Sequence, residues 1–174
     1  AGEDIRAGAE LLAAGTRLTP QDIGLAASVG LATLPVFRRL RVAVFFTGDE
    51  LSMPGEALKP GGIYNSNRYA LRGLLAALGC EVHDLGIVRD SLEATRTALR
   101  EAAATSDVIV TSGGVSVGEE DHVKAAVQAE GALDLWKIAI KPGKPLAFGK
   151  VSPRDTAFIG LPGNPVSTFV TFLM

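Results

Sequence analysis

DVIVTSGGVSVGEEDH, Asp107 to His122, is the stretch on which the fold turns. DVIVTS is a continuous apolar, β-branched run of strand length. It gives way to glycine and small residues where a strand should end, and then to three consecutive acids. On either side of it, from Arg41 onward, short β-rich runs alternate with helical periodicity, the pattern of a mostly parallel sheet with helices on both faces. The fold class expected is therefore α/β.

Upstream, RVAVFF (41–46) reads as the first buried strand. After the polar NSN, Leu71, Leu74, Leu75 and Leu78 recur at i, i+3, i+4 and i+7, one apolar helix stripe with Gly79 as its stop. EVHDLGIV (81–88) is the second strand, and Ser91 caps a helix over 92–104 with Glu93 and Glu101 outward and Leu99 inward. Downstream, a third helix is expected over 121–129. LDLWKIAI, PLAFGKV and TAFIG supply strands, and Asn164 opens a last helix. The first forty residues differ. Thr19 and Pro20 form an N-cap and N1 pair for a helix through Ser28 that ends at Gly30, and ATLPVFRRL suggests a small strand and linker. The aperiodic start reads as the tail of a preceding domain plus an entry helix. Residues 1–40 are thus expected to be a linker segment and 41–174 a single domain. Both ends read as cut: Ala1 stands where a Met would, and VSTFVTFLM lacks a terminator.

Composition narrows the function. Seventeen Lys and Arg against nineteen Asp and Glu leave a formal charge of -2, so no basic face announces nucleic acid or an anionic membrane. An anionic ligand would have to be held locally. Cys80 is the single cysteine, which excludes an internal disulfide and multi-cysteine metal sites, and it reads as a buried filler thiol. A reducing compartment, the cytoplasm, is the expectation. No apolar run reaches membrane-spanning length and no charged-then-apolar leader is evident.

In open α/β sheets ligands bind beyond the carboxyl ends of the strands, where helix N-termini expose unpaired N–H groups. TGDEL, VRDS, SGGVSVGEED and LPGNPVS all fall at such ends. In SGGVSVG, Gly113 and Gly114 permit positive φ, and the hydroxyls of Ser112 and Ser116 add donors, the make-up of an anion nest. A plain glycine turn has the same composition, and the spacing matches neither a GxGxxG nor a Walker loop. LPGNPVS divides evenly between a phosphate-receiving helix start at Gly163 and Asn164 and a capped turn fixed by Pro162 and Pro165. Asp49, Glu50, Asp90 and Asp121 come from three strand ends. Carboxylates gathered without bases repel unless a cation joins them, so Mg²⁺ ligation is the economical expectation. Glu119 and Glu120 read as helix N-terminal or solvated charge, and an N-cap competes closely at Asp121. Lys137 and Lys141, four apart, share one face of an extended segment, and with Lys144 they would neutralise a phosphate; an edge strand guarded by lysines is the bland alternative. His83 and His122 lack partners at ligand spacing.

Taken with IYNSN (63–67), LGIVRDS (85–91), WKIAIKPGKP (136–145) and GLPGNPVS (160–167), these motifs in their order and spacing resemble the molybdopterin molybdenumtransferase family, MoeA and the E domain of gephyrin. The resemblance covers 41–174 as that family's molybdopterin-binding domain. It implies a three-layer αβα fold of the MogA-like kind and the last step of molybdenum cofactor assembly. In that step adenylylated molybdopterin and molybdate, with Mg²⁺, yield the loaded cofactor and AMP. It implies a homodimer, and contact with the pathway's adenylyltransferase. By motif, Asp49, Glu50 and Asp90 would serve the metal. Glu50, Asp90, Asp121, Lys137 and Lys141 would be catalytic. Thr47, Gly48, Ser112, Gly113, Gly114, Ser116, Lys144, Pro162, Gly163 and Asn164 would bind pterin and phosphates. Phe46 departs from the small residue usual before TGDEL, and the family's earlier domains and small C-terminal β domain are outside these residues. Two alternatives stand beside this reading: a molybdopterin adenylyltransferase, and a non-catalytic pterin-binding or scaffold module.

Overall fold

The structure is a computed structural model and describes residues 5–115, 122–137 and 145–174. It divides into two compact units, Ala1–Arg38 and Arg39–Met174. In the first unit the expected helix, α1 (Pro20–Ser28), forms with the expected cap. The Thr19 hydroxyl accepts from the Asp22 N–H while the Asp22 carboxylate accepts from the Thr19 N–H at 2.8 Å, a reciprocal capping box. Two other expectations for this region fail. No helix forms over 5–15, where Gly8 and Gly15 take positive φ and the chain makes isolated turns instead. No strand forms over 32–40, where Val36 and Phe37 are exposed: a strand needs a neighbour for its N–H and C=O groups, and hydrophobic side chains alone do not provide one.

The second unit is built on β1 (Arg41–Thr47), the short β2 (Leu51–Ser52) and β3 (Ile63–Tyr64), α2 (Ser66–Ala77), β4 (Glu81–Val88), α3 (Leu92–Thr105), β5 (Val108–Ser112), α4 (His122–Glu130), β6 (Gly131–Lys137), β7 (Pro145–Val151), β8 (Thr156–Leu161) and α5 (Pro165–Leu173). Six strands form one sheet in the order β4-β1-β5-β8-β7-β6. The first four are parallel, β7 runs against them, and β6, antiparallel to β7, points with them again. This is the expected α/β fold with a mostly parallel sheet.

Both faces of the central strand are buried, and its alternation sorts them. Ala43 and Phe45 point into a core with Leu99 and Ala102 of α3 and Val123 and Val127 of α4. Val42, Val44 and Phe46 point into a second core with Leu71 and Leu75 of α2. Helices thus cover both faces, completing the three layers. Helix α2 starts at Asn65, whose Oδ1 accepts from the Arg68 N–H, and ends in a Schellman motif: Gly79 N donates to Ala76 O and Cys80 N to Leu75 O. Leu78 falls outside the stripe and is exposed, because it occupies the C-cap where the helix rotation stops. Cys80 is half-buried against the second core, more open than the filler thiol expected. Helix α3 is capped by Ser91 as expected, and Arg96 and Arg100 reach Glu130 of α4 at 2.7 and 2.9 Å.

One element was not legible: β2 and β3 pair in parallel as a separate ribbon, Leu51 with Ile63 and Ser52 with Tyr64. Two residues per strand are too few to show a period.

Candidate functional site

Between β1 and β5 the chain changes direction across the sheet. The connection after β1 leads to α2 on one face, and the connection after β5 leads to α4 on the other. Such a switch point opens a crevice outside the carboxyl ends of the two strands. Here it is a cleft of about 490 Å³. Thr47, Gly48 and Glu50 line it from the end of β1, Asp90 from the end of β4, Ser112, Gly113 and Gly114 from the end of β5, and Pro162, Gly163 and Asn164 from the end of β8. Four of the expected loops therefore meet. Residues for which the sequence reading named no role complete the wall: Leu51, Ile63, Tyr64, Asn65, Ser66 and Asn67. The quoted NSN was their signal, and the ribbon that carries them was not visible in the sequence.

The glycines of the β5 loop answer first to steric demand. Gly113 has φ of 100°, and a Cβ there would stand 2.6 Å from the Thr47 carbonyl oxygen. Gly114 has φ of 64°, with a Cβ 2.4 Å from Val123 Cγ2. The loop lies against the end of β1 with no room for a side chain. Of the two readings of this stretch, an anion nest and a plain glycine turn, the inward donors of Ser112 and Gly113 fit the turn. The Gly113 N–H donates to Leu161 O at 3.1 Å. The Ser112 hydroxyl, expected to face a ligand, is buried and donates to Pro162 O at 3.0 Å. Both are turned inward because a buried donor needs a fixed acceptor, and the β8 loop supplies one.

Asn67 ties this floor together. Its Nδ2 donates to Ser112 Oγ at 2.8 Å, to Gly163 O at 2.8 Å and to Thr168 Oγ1 at 3.2 Å. One amide thus joins the first turn of α2, the end of β5 and the start of α5. Asn164 caps α5, its Oδ1 accepting from the Ser167 N–H at 3.1 Å with Pro165 in the first turn. The capped-turn reading of LPGNPVS is what the local geometry contains, and the loop still forms part of the cleft wall.

The acids separate. Glu50 and Asp90 line the cleft, and the Glu50 carboxylate folds back over Gly48, where a Cβ would meet it at 2.6 Å. Asp49 is exposed and does not line the cleft. Among the described residues no group of three or more His, Cys, Asp or Glu is placed to hold an ion. Two hard-oxygen donors nevertheless suit Mg²⁺, which takes one or two carboxylates and completes its shell with water and substrate phosphate. Ser116, Asp121, Lys141 and Lys144 lie outside the described residues. Lys137 ends β6, which runs in the same direction as β1, so Lys137 stands at the same edge of the sheet as the cleft, across β7, β8 and β5 from β1. Among the described residues no helix is long and apolar enough to cross a membrane.

The family described as "Probable molybdopterin binding domain" matches residues 43–174. A molybdopterin molybdenumtransferase of Haemophilus influenzae is 48% identical over 171 residues, covering 98% of this chain and 42% of the relative. One from Nostoc is 40% identical over 169 residues, covering 96% and 39%. The crystal structure of the molybdopterin biosynthesis MoeA protein from Pyrococcus horikosii superposes with a TM-score of 0.82 at 36% identity, over 98% of this chain and 42% of that one. The chain spans about two fifths of the length of the curated relatives it matches. With the sheet order, the cleft at its switch point and the loop motifs, these matches place the chain in the molybdopterin-binding domain family, where it sits beside the molybdopterin molybdenumtransferases.

Proposed function

We propose that this chain supplies the pterin-nucleotide cleft of a molybdopterin molybdenumtransferase, an enzyme that inserts molybdate into adenylylated molybdopterin and releases AMP. The observation that carries the reading is the meeting of Glu50 and Asp90 with the glycine loop of β5 and the PGN loop of β8 in one switch-point cleft. The names of relatives at 40–48% identity favour it over ATP-dependent adenylylation.

In this reading the closely packed loops at 112–114 and 162–164 shape the wall against which the nucleotide's phosphates lie. Glu50 and Asp90 would hold Mg²⁺ together with pyrophosphate oxygens, and the ion would neutralise charge that builds up when the phosphoanhydride breaks. Asp49 would act through water at the rim. Asp121, Lys137 and Lys141 would complete the catalytic rim, with Ser116 and Lys144 binding phosphate, and the lysines offset the charge that two carboxylates alone would repel. A homodimer, contact with the adenylyltransferase that makes the substrate, and a cytoplasmic location belong to the same proposal.

The test is molybdenum insertion by the protein that contains this chain, followed as AMP release from adenylylated molybdopterin with molybdate and Mg²⁺. Glu50→Ala and Asp90→Ala should each lower the rate by about a hundredfold or more while the ligand still binds. Parental rates in both variants would overturn the reading.

A further inference from the structure

Asn65 and Asn67 flank one serine, and their carboxamides stand in opposite situations. Every use of the Asn67 Nδ2 described above is internal. Asn65 is 2% exposed, and its Nδ2 finds no hydrogen-bond partner among the described residues. Its orientation is not free to change. The Oδ1 accepts from the Arg68 N–H at 3.2 Å as the cap of α2, and a flipped amide would set NH₂ against N–H. The backbone is fixed too, with Asn65 N donating to Ser52 O at 2.9 Å. A buried donor held in place without an acceptor is costly, and such groups are rare where nothing is to be bound.

The surroundings say what kind of acceptor fits. Asn65 lines the cleft directly after Ile63 and Tyr64, which line it as well and are about half exposed. The Tyr64 hydroxyl donates to Glu56 O at 3.1 Å, which pins the ring. Among the described lining residues there is no Lys or Arg, whereas Glu50 and Asp90 are present, so a bare anion is disfavoured at this part of the wall. A flat apolar surface beside a donor-only amide suits a neutral nitrogen heterocycle, with the ring on Ile63 and Tyr64 and a ring nitrogen or carbonyl oxygen accepting from Nδ2.

We propose that Asn65, with Ile63 and Tyr64, forms the heterocycle-recognition subsite of the cleft. This rests on the reading of the cleft as a pterin-nucleotide site and assigns the ring, as opposed to the phosphates, to the β2–β3 ribbon. Adenine and pterin share the chemistry, so the experiment separates them.

Calorimetric titration of the protein containing this chain with AMP, a 6-substituted pterin and ribose 5-phosphate tests it. Asn65→Ser keeps a good N-cap and removes the amide. It should leave Tm nearly unchanged and weaken either AMP or the pterin by about tenfold, the affected ring naming the occupant, with ribose 5-phosphate binding unaltered. Tyr64→Ala should show the same selectivity. If AMP and pterin bind the parent and both variants equally, the inference falls and the functional reading stands. Equal losses for AMP and ribose 5-phosphate would also overturn it, because the amide would then serve the phosphate. If the parent binds neither heterocycle, both fall.

Discussion

Gly113 and Gly163 sit in facing loops of the cleft and look alike in the sequence, yet their demands differ. At Gly113 a side chain meets a backbone carbonyl at 2.6 Å in a left-handed conformation. At Gly163 the nearest atom to a Cβ is Gly113 Cα at 3.7 Å, an ordinary contact. Gly113→Ala should therefore destabilise the fold by about 2–4 kcal/mol, combining strain with overpacking. Gly163→Ala should cost less than about 1 kcal/mol. Urea denaturation of the two variants compares them directly, and equal losses would show that the approach of Gly113 to Thr47 is looser than described.

Among the elements, α1 carries a pH dependence of its own. Hydrogen bonds from the Thr19 N–H and then from its hydroxyl hold the Asp22 carboxyl below its ordinary value of 3.8. A carboxyl depressed on folding stabilises the helix above its unfolded pKa and loses that contribution as pH falls through the folded one. The protection factors of the α1 amides should fall below about pH 4, and Asp22→Ala should abolish that acid-dependent step. A step of the same size in Asp22→Ala would place its origin elsewhere. Helix α5 inverts the usual pattern: Ser167, Thr168 and Thr171 are buried while Val166, Phe169 and Leu173 are exposed. Thr168 is inward with its hydroxyl accepting from Asn67 and donating to Pro162 O, so the floor of the cleft, together with Phe172 against the second core, sets the helix's rotation.

For the molecule as a whole, the two cores lie on opposite faces of one sheet and share its central strands. A cavity in either should weaken the unit that carries the cleft. Leu99 of α3 is fully buried against the sheet, and Leu99→Ala should cost about 2–5 kcal/mol and move the cooperative thermal transition to a correspondingly lower Tm. A change under 1 kcal/mol would mean that α3 packs less tightly than its burial indicates.

The sequence by itself determined the large elements, because apolar runs of strand length and helical periodicity are local and repeated: RVAVFF, EVHDLGIV and DVIVTS carry the first, and Leu71, Leu74 and Leu75 the second. It also placed Thr47, Glu50, Asp90, Gly113 and Asn164 at strand ends, where the topology was bound to gather them. Tertiary structure alone decided which polar atoms remain for the cleft. The hydroxyl of Ser112 and the N–H of Gly113 are consumed by partners fifty and forty-eight residues away, and among the described residues the Nδ2 of Asn65 finds no acceptor while that of Asn67 is used. Hydrogen-bond satisfaction is a property of neighbours in space, and residues of the same type in the same motif have no way to record which of them will find one.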